Sequence, residues 1–256
     1  MVSAIKSNAD ENVVSSELLE IDVGCGPNKR PGFIGVDLME GADYRCDIAE
    51  EPLPFADNSV SHLFSSHCLE HIRPDRLGHV FREFTRVVTD DGLLELWHPH
   101  ALHRDAFIFD HKTYLTEEHY YHMCYRTPEH WKPILGERWV LQEVRYNITA
   151  PVLGELATNG VELEFAIGHL HDVIKELGVL IRVEKGEPRR SPGAFVRVVM
   201  AENRSNPLRI LGTGPYVPPA HSDAPQGPPE LTIKESGRAL AGALRRRAQR
   251  TLSRSR

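Results

Sequence analysis

Cysteine is scarce in this chain. Its 256 residues hold only Cys25, Cys46, Cys68 and Cys124, with no CxxC pair among them, which argues against a disulfide framework or a cysteine-built zinc site. No apolar run approaches the roughly 20 residues needed to cross a bilayer, and the polar opening MVSAIKSNADENVVSSE has no signal-peptide core. A cytoplasmic protein is therefore expected. A surplus of positive charge is missing too: 30 Lys and Arg stand against 36 Asp and Glu, a net charge of -6, which disfavours a general nucleic-acid binder. No internal repeat is found. With 41% hydrophobic residues, the chain can bury a full core, expected as one domain with appendages.

The most informative stretch runs from Leu18 to Leu38, LLEIDVGCGPNKRPGFIGVDL. Leu18, Leu19, Ile21 and Val23 suit a buried strand, and Gly24 and Gly26 allow a tight turn whose backbone can approach a ligand. Phe33, Ile34 and Val36 form a second apolar run that ends on Asp37. In open α/β sheets ligands bind beyond the carboxyl ends of the strands, where a carboxylate can accept from both hydroxyls of a ribose. Asp37 is the candidate for that role. Only the nine residues Gly24 to Gly32, with Pro27 and Pro31 among them, separate the two strands. A parallel crossover usually takes a dozen or more and a helix, so the first helix is expected to be missing or reduced to a turn. Asn28, Lys29 or Arg30 would then supply the donor or charge that a helix N-terminus otherwise offers to a carboxylate, although lysine and arginine in a loop are more often simply solvated.

Downstream, a segment from Asp47 to Leu53-Pro54-Phe55, then Ser66-His67-Cys68-Leu69-Glu70-His71, then Arg86-Val87 leading to Gly92, follow in order. Together with the Gly24-Cys25-Gly26-Pro27 turn, this series resembles the class I S-adenosylmethionine-dependent methyltransferases of the compact bacterial type, over roughly residues 18 to 100. The resemblance implies a Rossmann-like α/β fold: a mostly parallel seven-stranded sheet with helices on both faces, the first crossover shortened and a cap inserted after strand five. It implies S-adenosylmethionine as cofactor, with Asp22, Gly24, Cys25 and Gly26 beside its methionine part, Asp37 and Leu38 at the ribose, Asp47 at the adenine amino group, Ile48 against the ring, and Ser65, Ser66 and His67 near the sulfonium. Plainer roles stay open: Asp22 can bond nearby amides, Asp47 can cap a turn, and Leu38 and Ile48 can belong to the core.

The punctuation divides the chain into a mobile arm over 1–16, a methyltransferase domain over 17–202 with its cap at about 99–151, and a proline-rich linker and basic tail over 203–256. Strands are expected near 18–23, 33–37, 43–47, 60–65 and 93–97, with an extra one at 139–148 in the cap. Leu77, Val80, Phe81, Phe84, Val87 and Val88 predict a helix over 75–88. A second helix is expected over 163–177, followed by paired strands at 179–184 and 194–200 around a turn at 188–193. The tail holds seven arginines between Arg238 and Arg256, suited to an anionic membrane or an acidic protein, while its thin apolar stripe also fits a solvated tail.

Methyl transfer needs an acceptor held in line with the carbon–sulfur bond, and an alcohol acceptor must also lose a proton. Seven of the 14 histidines fall between His98 and His130, and histidine accepts protons near neutral pH. His67 and His100 rank first as bases, and His71 third, because its Leu-Glu-His segment resembles a brace. For each taken singly, a structural role is the commoner one. Asp105, Asp110, His103 and His111 follow no recognised ligand spacing, so no metal is expected. Ser65-Ser66-His67-Cys68 stands where base- and glutamine-directed relatives carry NPPY or DPPY, which disfavours nucleic-acid bases. The expected acceptor is a sugar hydroxyl of a glycan or glycosylated metabolite, with Tyr114, Tyr120, Tyr121, Tyr125, Trp131 and Trp139 available for stacking or for packing the cap itself. The alternative is a cofactor-binding sensor or assembly partner without turnover.

Overall fold

The computed structural model describes residues 18–190, 195–200, 202–204 and 206–216. The expected N-terminal arm and basic tail, and part of the 188–193 turn, lie outside them.

The apolar run at the start becomes β1 (Leu19–Val23), with Ile21 and Val23 fully buried. β2 (Ile34–Asp37) and the short β3 (Tyr44–Arg45) pair parallel on one side of it, β4 (Val60–Ser66) on the other. β5 (Val88–Pro99) continues the parallel half. Asp91-Gly92 does turn the chain, but inside β5: Asp91 has φ of 64°, and the register with β4 jumps from Val88 to Leu93. This is a bulge carried by residues that tolerate the left-handed region. Beyond β5 lie β7 (Glu176–Glu184), antiparallel to it, then β6 (Arg138–Asn147), β8 (Val196–Met200) and β9 (Pro207–Thr213). The order is β3-β2-β1-β4-β5-β7-β6-β8-β9. The fold is Rossmann-like with a mostly parallel sheet, as expected, but among the described residues the sheet has nine strands rather than seven.

Three local expectations are corrected. The strand at 139–148 is no cap element, because β6 sits inside the sheet between β7 and β8. For the same reason the strands at 179–184 and 194–200 are not a hairpin. The helix expected over 163–177 stops at His169 (α5, Leu163–His169), since Leu177 is fully buried as part of β7. The sheet also runs past residue 202, where the linker was expected, through β9.

Helix α1 (Pro74–Val87) matches its pattern. Pro74 opens it, where a missing N–H costs nothing, Asp75 sits in its first turn and Arg86 in its last. Val80, Phe81, Phe84 and Val87 are buried. Arg86 donates to the carbonyls of Leu53 and Phe55 and to Glu83, tying the Leu-Pro-Phe segment to the helix. After β5, α2 (Glu117–Tyr121), a π-helical turn and α3 (Pro128–Leu135) form a layer whose aromatics face inward. Tyr120, Tyr121 and Trp139 are buried, Tyr121 bonds Tyr146, and Trp139 donates to Thr85 at 2.8 Å. These rings pack the protein itself and offer no stacking surface to an acceptor. Helix α4 (Ala150–Thr158) precedes α5.

No helix joins β1 to β2. Where one would lie, Arg30 stacks on Phe33 and Phe64 at 4.8 and 4.5 Å and pairs with Glu95 at 2.8 Å. Glu95 also meets Arg145 and His62. Next to this charged layer Trp97 lies over Gly178, where a Cβ would stand 2.7 Å from the indole. The glycine is what lets the ring lie flat on the strand.

Candidate cofactor and acceptor site

Two cavities adjoin at the carboxyl ends of β1, β2 and β4, and Gly24 and His67 line both. The first, of about 380 Å³, contains Asp37, Leu38, Asp47, Ile48, Cys68, His71, Arg73, Arg76 and Lys112 in its wall. The second, of about 660 Å³, is lined by Asp22, Cys25, Gly26, Asn28, Arg30, Ser66, Glu95, Trp97 and Arg204 among others.

Short-range bonds shape the first cavity. Asp37 accepts the Gly26 amide on one carboxylate oxygen and the Met39 amide on the other, both at 2.8 Å, so each oxygen is aimed yet keeps a free lone pair. Asp47 accepts the Ala49 amide and so closes its own turn, while Ile48 is buried beside it. Leu38 is more than half exposed. Gly24 has φ of 73°, and a Cβ there would lie 2.4 Å from the Cβ of Cys68. Gly24 is therefore required both by its φ and by Cys68, whereas Gly26 (φ 51°) has open space around it. Burial pushes the Cys68 thiol up to about 12, so it is no nucleophile.

Opposite charges shape the second cavity. Asp22 is buried and accepts the Arg30 amide at 2.8 Å, and burial pushes its carboxyl upward. Lys29 turns away to Asp43. Burial would raise Glu95, but bonds from His62, Trp97 and Arg30 outweigh it and hold this carboxyl near 2. Arg204 lies 4.6 Å over the Trp97 ring and donates to Ser66 at 2.9 Å and to Glu176. Ser65 is buried and lines neither cavity.

The three candidate bases part company. His67 follows β4 directly with φ of 54°, a strained conformation for a residue with a Cβ. One ring nitrogen faces Glu176 at 2.8 Å and the other Glu70 at 3.1 Å. Those two carboxylates raise His67 to about 9 despite its burial, and Arg204 meets the same Nε2 at 3.0 Å. Glu176 is driven the other way: burial would raise it, but His67 and Arg204 hold it well below the usual carboxylate range. His100 lines neither cavity. It is buried, takes the Leu102 amide on Nδ1 and gives Nε2–H to Glu117. His98 is also inside, pushed down to about 4 by burial. His71 remains at the first cavity, its side chain 40% exposed and Nδ1 3.2 Å from Asp110. Sequence reasoning missed Glu176 and Arg204, which reach His67 from 109 and 137 residues away. No local pattern marks them.

Residues 31–96 match the family model described as a methyltransferase domain. This match agrees with the resemblance to the class I S-adenosylmethionine-dependent methyltransferases. No curated protein matches it. Solved structures similar to this chain include a SAM-dependent methyltransferase from Archaeoglobus fulgidus, 15% identical, covering 65% of this chain and 87% of that one at a TM-score of 0.44. Others are a methyltransferase from Mesorhizobium loti (15% identical, 64% and 90% covered, TM-score 0.39) and the YcgJ protein from Bacillus subtilis (13%, 67% and 95%, TM-score 0.41). At such identities the likeness concerns the fold alone. The resemblance implies S-adenosylmethionine as cofactor, and the paired cavities suit it: one has a carboxylate and an apolar wall for an adenosine, the other has both signs of charge for an amino-acid zwitterion. Among the described residues no helix is long and apolar enough to cross a membrane.

Proposed function

We propose that the methyltransferase domain methylates a hydroxyl of a sugar or a glycosylated small metabolite. The observation that carries this reading is the second cavity. At about 660 Å³ it exceeds what a methionine tail needs, and Asp22, Asn28, Ser66, Glu95 and Arg204 give it hydrogen-bonding groups of both kinds. A polyhydroxylated acceptor satisfies such groups, whereas an apolar one would leave them desolvated and unpaired.

In this reading Asp37 accepts from the ribose hydroxyls, Asp47 from the adenine amino group, and Ile48 packs the ring, with Leu38 over its edge. Gly24, Cys25 and Gly26 line the methionine path, Asp22 takes the ammonium, and Arg30 or Arg204 takes the carboxylate. The bound cofactor supplies an electrophilic methyl group. The chain's part is to bind, align and exclude water. His67, held by Glu70, Glu176 and Arg204 where the two cavities meet, acts as a positioning residue.

Calorimetric titration with S-adenosylmethionine and S-adenosylhomocysteine comes first, and saturable binding is expected. An acceptor panel follows, in which cofactor-dependent methylation of nucleotide-sugars or glycosides supports the reading. Activity confined to amines or carboxylates overturns the acceptor class. Binding without turnover on any acceptor favours the sensor reading instead.

A further inference from the structure

Glu70 and His71 leave β4 in a single 3-10 turn, and the loop after β5 returns His111 to meet them. The rings of His71 and His111 touch at 4.9 Å, and one ligand-capable atom from each of Glu70, His71 and His111 lies within 4.8 Å of the other two. The amides of Lys112 and Thr113 donate to the Glu70 carbonyl and pin the loop there.

Three features go beyond proximity. The Nδ1 of His111 lies 3.0 Å from the Ala106 carbonyl. A carbonyl only accepts, so Nδ1 carries the proton and Nε2 keeps its lone pair. The Nδ1 of His71 likewise faces an oxygen, that of Asp110 at 3.2 Å, which leaves its Nε2 for another partner. This is how metal-binding histidines are usually oriented. Glu70 supplies the third feature: its side chain is 3% exposed, one oxygen is engaged by His67, and the other is buried with no hydrogen-bond partner among the described residues. A buried, unpaired carboxylate oxygen is costly, and a cation removes the cost.

We propose that Glu70, His71 and His111 bind a divalent first-row transition metal ion, of the zinc, cobalt or manganese class, at the wall of the cofactor cavity. Two imidazoles and one carboxylate suit these metals, while magnesium prefers oxygen ligands and retained water. Ligands around a zinc-sized ion stand no more than about 4 Å apart, so the half-exposed His71 closes the set by a small rotation. Three protein ligands leave coordination positions open, and His71 lines the same cavity as His67.

The test uses the full chain, stripped with a chelator and titrated with Co(II), Zn(II) and Mg(II), with S-adenosylmethionine titrated on the same preparation. One Co(II) or Zn(II) per chain is expected, with visible absorption bands stronger than those of the aquo ion. Affinity should fall at least tenfold in both His71→Asn and His111→Asn, and hold in His103→Asn. No binding by protein that still takes up S-adenosylmethionine, equal binding in all three variants, or magnesium competing at equal affinity overturns the site. If a variant fails to fold, the wild-type Co(II) spectrum decides: bands no stronger than those of the aquo ion overturn the site. Metal bound without S-adenosylmethionine binding would instead overturn the functional reading and leave the site standing.

Discussion

The two cavities that meet at Gly24 and His67 are held open by different physics. The first is shaped by bonds between close neighbours: Asp37 to Gly26 and Met39, Asp47 to Ala49. The second is shaped by charges drawn from distant parts of the chain, Arg30, Glu95, Arg145 and Arg204, lying where a helix between β1 and β2 would otherwise cover the sheet. A local network tolerates little change in its backbone, and a charge network answers to pH and to the loss of single side chains. Each contrast can be tested.

The largest effect is expected at Gly24. Gly24→Ala meets both a positive φ and a Cβ overlap with Cys68, and strain plus overpacking should destabilise the protein by about 2–4 kcal/mol. Chemical denaturation measures it. If the overlap matters most, adding Cys68→Gly should recover much of the loss; no recovery would put the whole cost on φ.

Asp37→Ala comes next. It removes a carboxylate that orients two amides and faces the cavity, and charge-assisted bonds of this kind contribute about 1.5–3 kcal/mol. S-adenosylmethionine affinity should drop roughly 10- to 100-fold by calorimetry. A drop of less than threefold would mean that the turn alone forms the site.

This division also explains what could be read in advance. β1, β2, β4, α1 and the glycine turn followed by Asp37 are legible in patterns within about 15 residues, and so is the missing first helix, because nine residues cannot span a helical crossover. What stayed hidden depends on long-range partners. Nothing near Trp139 says that β6 is an interior strand; its neighbours β7 and β8 come some 30 to 60 residues later. Nothing near His67 reveals Glu176 or Arg204, the distant partners that hold its imidazole. The histidine-rich stretch misled similarly, since burial of His98 and His100 turned proton-transfer candidates into packed hydrogen-bonding groups.

The charged layer should show in the acid limb of stability. Glu95 is held near 2, below its ordinary 4.5. A depressed carboxyl stabilises the fold at pH above 4.5, and that contribution is lost as pH falls from 4.5 toward 2. Urea unfolding should therefore weaken across this window, and Glu95→Gln should flatten the slope while lowering stability near neutral pH. An unchanged slope in the variant would assign the acid limb to other groups.

The smallest effect is the sharpest comparison. Lys29 and Arg30 are adjacent and look alike as loop charges. Lys29 reaches the exposed Asp43, an ion pair in water that is screened and costs side-chain entropy. Arg30 lies against two aromatic rings and donates to a mostly buried carboxylate, worth about 1–2 kcal/mol where it is desolvated. Lys29→Ala should leave the melting temperature close to that of the wild type, and Arg30→Ala should lower it by several degrees. Arg30→Lys should recover only part of the loss, since an ammonium keeps the charge but not the flat face that lies on Phe33 and Phe64. Equal melting temperatures for Lys29→Ala and Arg30→Ala would mean that the stacked guanidinium does not replace the missing helix, and that the sheet face is stabilised without it.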